Sequence, residues 1–225
     1  MQSFFIQSLK EIRNNLKGKE WRISNQVPYL KYRELEIFTG IFRDLKPLRI
    51  LEWGAGFSTL HFPRLMNYPF KWHSVEHDEQ WYNQLITLNQ NPDVLITLRK
   101  PHNYPYTDEH GDGSYEDFRD YIETPDDGTK YDLIIIDGRA RNECLLKAMT
   151  IISDGGIILL HDANRLRYHL HFDKFRYQEI FTDYRHSAGG IWLGSTRDLN
   201  EVIDVKKHRQ RWAMVQNKVA KILSI

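Results

Sequence analysis

The stretch Leu48-Arg49-Ile50-Leu51-Glu52-Trp53-Gly54-Ala55-Gly56-Phe57-Ser58-Thr59 decides the fold. A short apolar run stops abruptly at Gly54, and past Gly56 the pattern turns helical, with Ser58 or Thr59 as the cap. That length and that abrupt end belong to a strand buried on both faces of a parallel sheet. Two glycines one residue apart, between a strand and a helix, let backbone approach a ligand closely. The third glycine of the dinucleotide pattern G-x-G-x-x-G is missing, because Ser58 and Thr59 hold its places. Glu52 would oppose a pyrophosphate at the helix start, but it suits a ligand that carries positive charge.

Outward from this turn, strands and helices alternate. Helical patterns are predicted at 3–16 and 30–45. In the second, Leu30, Leu35, Phe38, Ile41, Phe42 and Leu45 recur at helical spacing and Pro47 ends the run. A helix follows at 58–67, in which Pro63 is tolerable only near the first turn. Then come a strand at 72–76, a helix at 78–89, a strand at 94–98 and a loop at 101–114. A helix at 115–123, a strand at 131–137, a helix at 141–152 and a strand at 155–160 continue the series. The runs 177–184 and 190–196 are joined only by Arg185 to Gly189, too few residues for a crossover helix, so they must pair antiparallel. A last helix is predicted at 200–222. The expected fold is α/β: a Rossmann-like, doubly wound, seven-stranded, mainly parallel sheet with helices on both faces and a C-terminal antiparallel hairpin. The chain reads as a single domain over 1–225, with N-terminal helices to 46, the core over 47–197 and the C-terminal helix over 198–225.

The second strand ends in Glu76, about 20 residues past the glycine turn, where a carboxylate can accept from both hydroxyls of a ribose. With these residues in place, the chain resembles the class I S-adenosylmethionine-dependent methyltransferases over roughly residues 30–197. Glu52-x-Gly54-x-Gly56 resembles their first motif and Glu76 their ribose-binding acid. Asp137 resembles their fourth motif, and the closing antiparallel pair resembles their hairpin. The resemblance implies that Glu52, Gly54 and Gly56, with Ala55, Ser58 and Thr59 of the same turn, hold the methionine end of S-adenosylmethionine. Glu76 and its neighbour His77 would hold the ribose. The loop 101–114 would carry the adenine contact, which no residue there identifies.

Methyl transfer asks the protein chiefly to align the acceptor and sometimes to deprotonate it. Asp137, Arg139, His161 and Asp162 follow the fourth and fifth strands, so all four are expected at one rim as the catalytic set. His161 is the candidate base, and Arg139 suits an anionic group. Arg141 and Arg167 are read as solvent-facing or paired with nearby acids. Catechol-type methyltransferases place an Asp-Asn pair after strand five. Here the pair is Asp162-Ala163 with Asn164 one place later, so a divalent metal is possible but not favoured, and no metal ligands are assigned. The expected activity is methyl transfer to an oxygen or nitrogen of a small, perhaps anionic, acceptor. A non-catalytic cofactor or nucleoside binder is one alternative. An RNA methyltransferase using Lys206, Lys207, Arg209, Arg211, Lys218 and Lys221 of the last helix is the other.

Composition narrows the remaining classes. The 225 residues are 41% hydrophobic and 27% charged, with a formal net charge of +1, so bulk charge argues for neither nucleic acid nor a membrane surface. Cys144 is the sole cysteine and forms no intrachain disulfide. No apolar run approaches the roughly 20 residues of a membrane span, and residues 1–16 lack a secretory h-region. The chain is read as cytoplasmic.

Overall fold

In the computed structural model, residues 9–10, 12–14, 16–108, 110–183 and 188–213 are described. Seven strands form one sheet: β1 (Arg49–Trp53), β2 (Lys71–Glu76), β3 (Val94–Leu98), β4 (Tyr131–Ile136), β5 (Ile152–His161), β6 (Tyr177–Phe181) and β7 (Ile191–Ser195). Their order is β3-β2-β1-β4-β5-β7-β6. The pairs from β3 through β5 are parallel, and β7 is antiparallel to both β5 and β6. The expected seven-stranded, mainly parallel sheet with its closing hairpin is therefore present. Residues 184–187 of the hairpin connection lie outside the described residues.

The central strands read as continuous apolar runs because both faces are covered. Ile50, Leu133, Ile135, Ile157 and Leu159 join one core with Phe38, Phe57, Leu85, Val205 and Trp212. Leu51, Trp53, Ile134, Ile136, Ile158 and Leu160 join the other, with Phe118, Tyr121, Leu145 and Phe172. Successive residues point to opposite faces, so one stretch of chain feeds two cores. The helices Tyr32–Asp44, Phe57–His61 and Glu79–Leu88 cover the first face, and Tyr115–Glu123 and Arg141–Ile151 the second. The chain winds outward from β1 to β3 and then returns to β4. The order thus reverses between β1 and β4, the place where α/β sheets open a crevice beyond their strand ends.

Several boundaries differ from expectation for local reasons. The helix after the glycine turn covers only Phe57–His61 before tightening to a 3₁₀ turn at Phe62–Leu65, because Pro63 donates no amide hydrogen. β5 begins three residues early, at Ile152, and passes Gly155 at φ +72° beside a register shift. A helix at Lys19–Asn25 and a 3₁₀ stretch at Leu166–Lys174 were not expected. Of the N-terminal helix at 3–16, residues 9, 10 and 12–14 are helical, and 3–8, 11 and 15 lie outside the described residues. Of the last helix, residues 205–213 are helical after a 3₁₀ turn at Leu199–Glu201, and 214–222 lie outside the described residues. Among the described residues no helix is long and apolar enough to cross a membrane.

Candidate functional site

The glycine turn and the end of β4 are locked together by backbone. The Gly54 amide donates to the Val75 carbonyl at 2.9 Å, and the Asp137 amide to the Trp53 carbonyl at 2.9 Å. Gly54 has φ +96°, and a β-carbon there would stand 2.5 Å from Gly138 Cα, so two loops cross in contact where the sheet order reverses. Gly56 differs. Its backbone is extended, and a β-carbon would meet only Ser58 Oγ, at 3.6 Å.

Glu52 lies behind this turn and is fully buried. Its carboxylate accepts from Ser58 Oγ, Thr59 Oγ1, Ser74 Oγ and Trp72 Nε1. Burial pushes its pKa up to about 7 against the pull of those four donors. Glu52 and Thr59 therefore brace the turn from inside. Ser58 reaches the surface of the cleft, as do Gly54, Ala55 and Gly56. Glu76 accepts from the amides of His77 and Asp78 through Oε1, each at 2.8 Å, while Oε2 makes no hydrogen bond among the described residues. His77 packs edge-on against Phe118 and Tyr121.

Two adjoining chambers open at the switch point. The larger, of about 340 Å³, is lined by Gly54, Ala55, Gly56, Phe57, Ser58, Trp81, Asp137, His161 and Asp162, with Pro28, Tyr29, Leu30, Phe38 and Ile135. Trp81 is held there by a hydrogen bond from Nε1 to the Ala55 carbonyl, 2.9 Å. The smaller, of about 210 Å³, is lined by Arg22, Tyr29, Leu30, Lys31, Glu34, His161, Asp162, Ala188 and Gly189. His161 and Asp162 belong to both walls.

Around His161 the charges alternate. Nδ1 lies 3.0 Å from Asp137 Oδ1 and 3.8 Å from Asp162 Oδ1, and Nε2 lies 3.5 Å from Glu34 Oε2. Burial pulls the imidazole pKa down, but Asp137 and Glu34 outweigh it and hold the value well above that of an ordinary histidine. His161 is thus held as imidazolium at neutral pH, which suits it to donate hydrogen bonds rather than to take a proton. Asp162 adopts φ +64°, a conformation that Asp tolerates better than most residues. It accepts from the Gly189 amide and faces Arg165 at 3.1 Å and Arg141 at 3.6 Å. Burial raises its pKa, but His161, Arg141 and the Gly189 amide more than reverse that.

Of the four rim residues expected together, Asp137, His161 and Asp162 share the larger chamber, and Arg139 does not. Arg139 turns outward, donating to the Gly111 carbonyl at 3.1 Å with its guanidinium 5.8 Å from the Tyr106 ring. Ala140, at φ +47°, lies between the two arginines, and this left-handed turn swings residue 139 out and residue 141 in. Arg141 is buried beside the site. It pairs with Asp137 at 3.3 Å and donates to the His161 carbonyl. Glu34, Lys31 and Trp81 also escaped the sequence reading. Glu34 left a signal, because it sits four residues after Leu30 and four before Phe38, on the apolar face of its helix.

Asn164 does not join Asp162. It donates to Asp183 Oδ1 at 2.7 Å and to the Ala188 carbonyl at 2.8 Å, and it accepts from the Asp183 amide. Among the described residues no group of three or more His, Cys, Asp or Glu is arranged to hold a metal ion.

No family model matches the chain, and no curated protein matches it by sequence. Solved structures do match by shape. The cofactor-bound Rv0187 protein from MTB is 15% identical, with 83% of this chain and 94% of that one covered at a TM-score of 0.55. An O-methyltransferase from Bacillus cereus, in complex with SAH, is 14% identical, with coverage of 78% and 87% and a TM-score of 0.51. The O-methyltransferase TomG from Streptomyces achromogenes, in complex with SAM, is 14% identical, with coverage of 76% and 84% and a TM-score of 0.50. The chain shares the methyltransferase fold. In that fold the larger chamber lies along the first glycine turn, and the N-terminal helix Tyr32–Asp44 closes the smaller one from outside the alternating core.

Proposed function

We propose that this chain is an S-adenosylmethionine-dependent methyltransferase acting on a small acceptor, and that it works as one domain. One observation carries the reading. A chamber of about 340 Å³ runs from the Gly54–Ser58 turn to Asp137, His161 and Asp162, so the cofactor turn and the polar rim share one space. The turn fits the cofactor, since its backbone at Gly56 is open enough for close approach. Glu76 stands beside it on the neighbouring strand with Oε2 uncommitted, suited to a ribose hydroxyl. When bound, the cofactor supplies an activated methyl group. The residues supply alignment: Gly54, Ala55, Gly56 and Ser58 would line the methionine end, while Asp137 and Asp162 would face the sulfonium side with His161 and Arg141 balancing their charge. His77 and Arg139 lie outside the chamber and are given no direct role.

Calorimetry with S-adenosylmethionine, S-adenosylhomocysteine and NAD tests the reading. The first two should bind and NAD should not. A ligand at about 100 times its dissociation constant adds roughly 2.7 kcal/mol of stability, so a thermal shift should report the same ranking. Tighter binding of NAD refutes the assignment. The RNA reading is less favoured: Arg209 pairs with Glu179 and Arg211 with Glu36, and Val205 and Trp212 of the same helix are buried in the core.

A further inference from the structure

The helical residues ahead of Gly18 turn an apolar stripe to solvent. Leu9 is 47% exposed, Ile12 55% and Leu16 79%. Residues 9, 10 and 12–14 are helical, and the Leu16 amide donates to the Ile12 carbonyl at 3.0 Å, so the helical path runs on to Leu16. At about 100° per residue, Leu9, Ile12 and Leu16 fall within an arc of roughly 60°. Arg13, Lys17 and Lys10 fall within a neighbouring arc of about the same width. Arg13 and Lys10 are exposed, and Lys17 is half-buried. Asn14 points away from the stripe. It is buried and donates to the Leu30 carbonyl at 2.9 Å, which fixes the inner side of the segment and leaves the stripe and the cations outside. Trp21, on the following helix Lys19–Asn25, is exposed as well.

No acid neutralises these cations. Lys10, Arg13 and Lys17 form no ion pair among the described residues. Lys10 and Lys17 instead lie over the rings of Tyr32 and Trp21, at 5.3 and 4.5 Å. Burial lowers the Lys17 pKa, and repulsion from Arg22 and Arg13 lowers it further. The net charge of +1 for the whole chain hides this local excess. An aliphatic stripe beside unpaired cations suits the boundary between water and anionic lipid, where aliphatic side chains enter the acyl region and cations stay among the headgroups. A second copy of the chain fits poorly. In a two-fold contact the same patch meets itself, so the cations would face their own counterparts. Nucleic acid would neutralise the cations and leave the stripe in water.

We propose that Leu9, Ile12 and Leu16, with Lys10, Arg13 and Lys17 beside them, dock on an anionic lipid surface. The aliphatic side chains enter the bilayer interface, and the cations meet lipid phosphates. The proposal does not rest on the methyltransferase reading. It bears on the two chambers through backbone. Arg22 donates to the Asn14 carbonyl at 2.8 Å and to the Pro28 carbonyl at 2.6 Å, and Asn14 holds the Leu30 carbonyl. Pro28 lines the larger chamber, and Leu30 lines both. The docking face and the chamber walls are therefore tied together directly.

The test is co-sedimentation of the full chain, without cofactor, with two kinds of vesicle. One is phosphatidylcholine alone, and the other is equal parts phosphatidylcholine and phosphatidylglycerol. The chain should partition at least about tenfold more strongly to the anionic vesicles, and that preference should shrink at about 1 M salt, where the screening length is roughly 3 Å. Each basic residue near an anionic surface is worth about fivefold in partitioning, so Arg13→Gln with Lys17→Gln should weaken binding at least about tenfold. Ile12→Ser with Leu16→Ser should weaken it by a similar factor, since both side chains leave the interface. All four positions lie on the outer side of the segment, so both double variants should keep the parent Tm. Equal binding to the two vesicle types, or binding to neither, overturns the proposal, and neither outcome depends on a variant folding. Undiminished binding by the serine variant would leave only unspecific adsorption of charge, and undiminished binding by the glutamine variant would leave only unspecific apolar adsorption; each overturns it. A dimer in solution that the serine variant dissolves, with no vesicle binding, would show that a second copy covers the stripe and overturns it too.

Discussion

Replacing Gly54 by alanine should destabilise the protein far more than the same change at Gly56. At Gly54 the new methyl would lie 2.5 Å from Gly138 Cα and N and 2.7 Å from the Asp137 carbonyl carbon, all backbone atoms that cannot swing aside. Its φ of +96° adds a penalty of about 1 kcal/mol or more for any residue with a β-carbon. Forcing atoms into a filled site adds about 1–3 kcal/mol. The sum, about 2–4 kcal/mol, is a large share of the roughly 5–15 kcal/mol that holds a domain folded. For a chain of this length each kcal/mol moves Tm by roughly 2–4 °C, so Gly54→Ala should melt about 5–15 °C lower. At Gly56 the backbone is already extended and the methyl meets only Ser58 Oγ, at 3.6 Å. That variant should stay within about 0.5 kcal/mol of the parent. Urea unfolding followed by tryptophan fluorescence, with m-values compared, measures both. Equal midpoints for the two variants would refute the idea that the first glycine serves the crossing of two loops and the second leaves room for a ligand.

Other outcomes follow from the same geometry. Gly56→Val should fold yet lose S-adenosylhomocysteine binding by calorimetry, since the branched side chain fills the chamber wall. His161→Gln should lower turnover by roughly 10²-fold by misplacing Asp137 and Asp162 and leave S-adenosylhomocysteine affinity within a few-fold. Stability should fall with rising pH in two windows. Glu52, raised from 4.5 to about 7 by burial, favours its protonated form in the fold, so that contribution is complete below 4.5 and lost as pH approaches 7. His161, raised above 6.5, contributes fully below 6.5, and its share is lost at higher, alkaline pH. Glu52→Gln should flatten the first limb of a Tm–pH curve and His161→Gln the second, and persistence of either limb in its variant would refute that assignment. Cys144 is fully buried, and burial holds its thiol well above the usual range, so a thiol reagent should label it only in denaturant.

The sheet was legible because its signals are local. Val94–Leu98, Tyr131–Ile136 and Tyr115–Glu123 announce themselves by apolar period and by flanking turn residues, and the short gap between β6 and β7 dictates antiparallel pairing. The glycine turn, Asp137 and His161 were legible as residues that end strands. What stayed hidden depends on backbone angles and on distant segments. Nothing local says that Ala140 takes a left-handed turn, so Arg139 looked like the site arginine and Arg141 did not. Lys19–Asn25 is too short and too polar to show a period. Glu34 reaches His161 from 127 positions away in the chain, and only the tertiary path of the N-terminal helix brings them together. The brace around Glu52 was hidden too, since Trp72 and Ser74 approach it from the next strand.

The N-terminal helix is fastened to the far end of the chain. Lys31 and Arg33 both pair with Asp183, which follows β6, and Glu34 holds the Gly190 amide at the start of β7. Half the wall of the smaller chamber therefore comes from residues 22–34, which contribute no strand to the sheet. Arg22 lines the smaller chamber and not the larger, so a substitution there can reshape that wall while the strands, the glycine turn and the Glu52 brace stay as they are. Under the proposed function, position 22 is therefore a place where the acceptor wall can change, by evolution or by design, while the glycine turn does not.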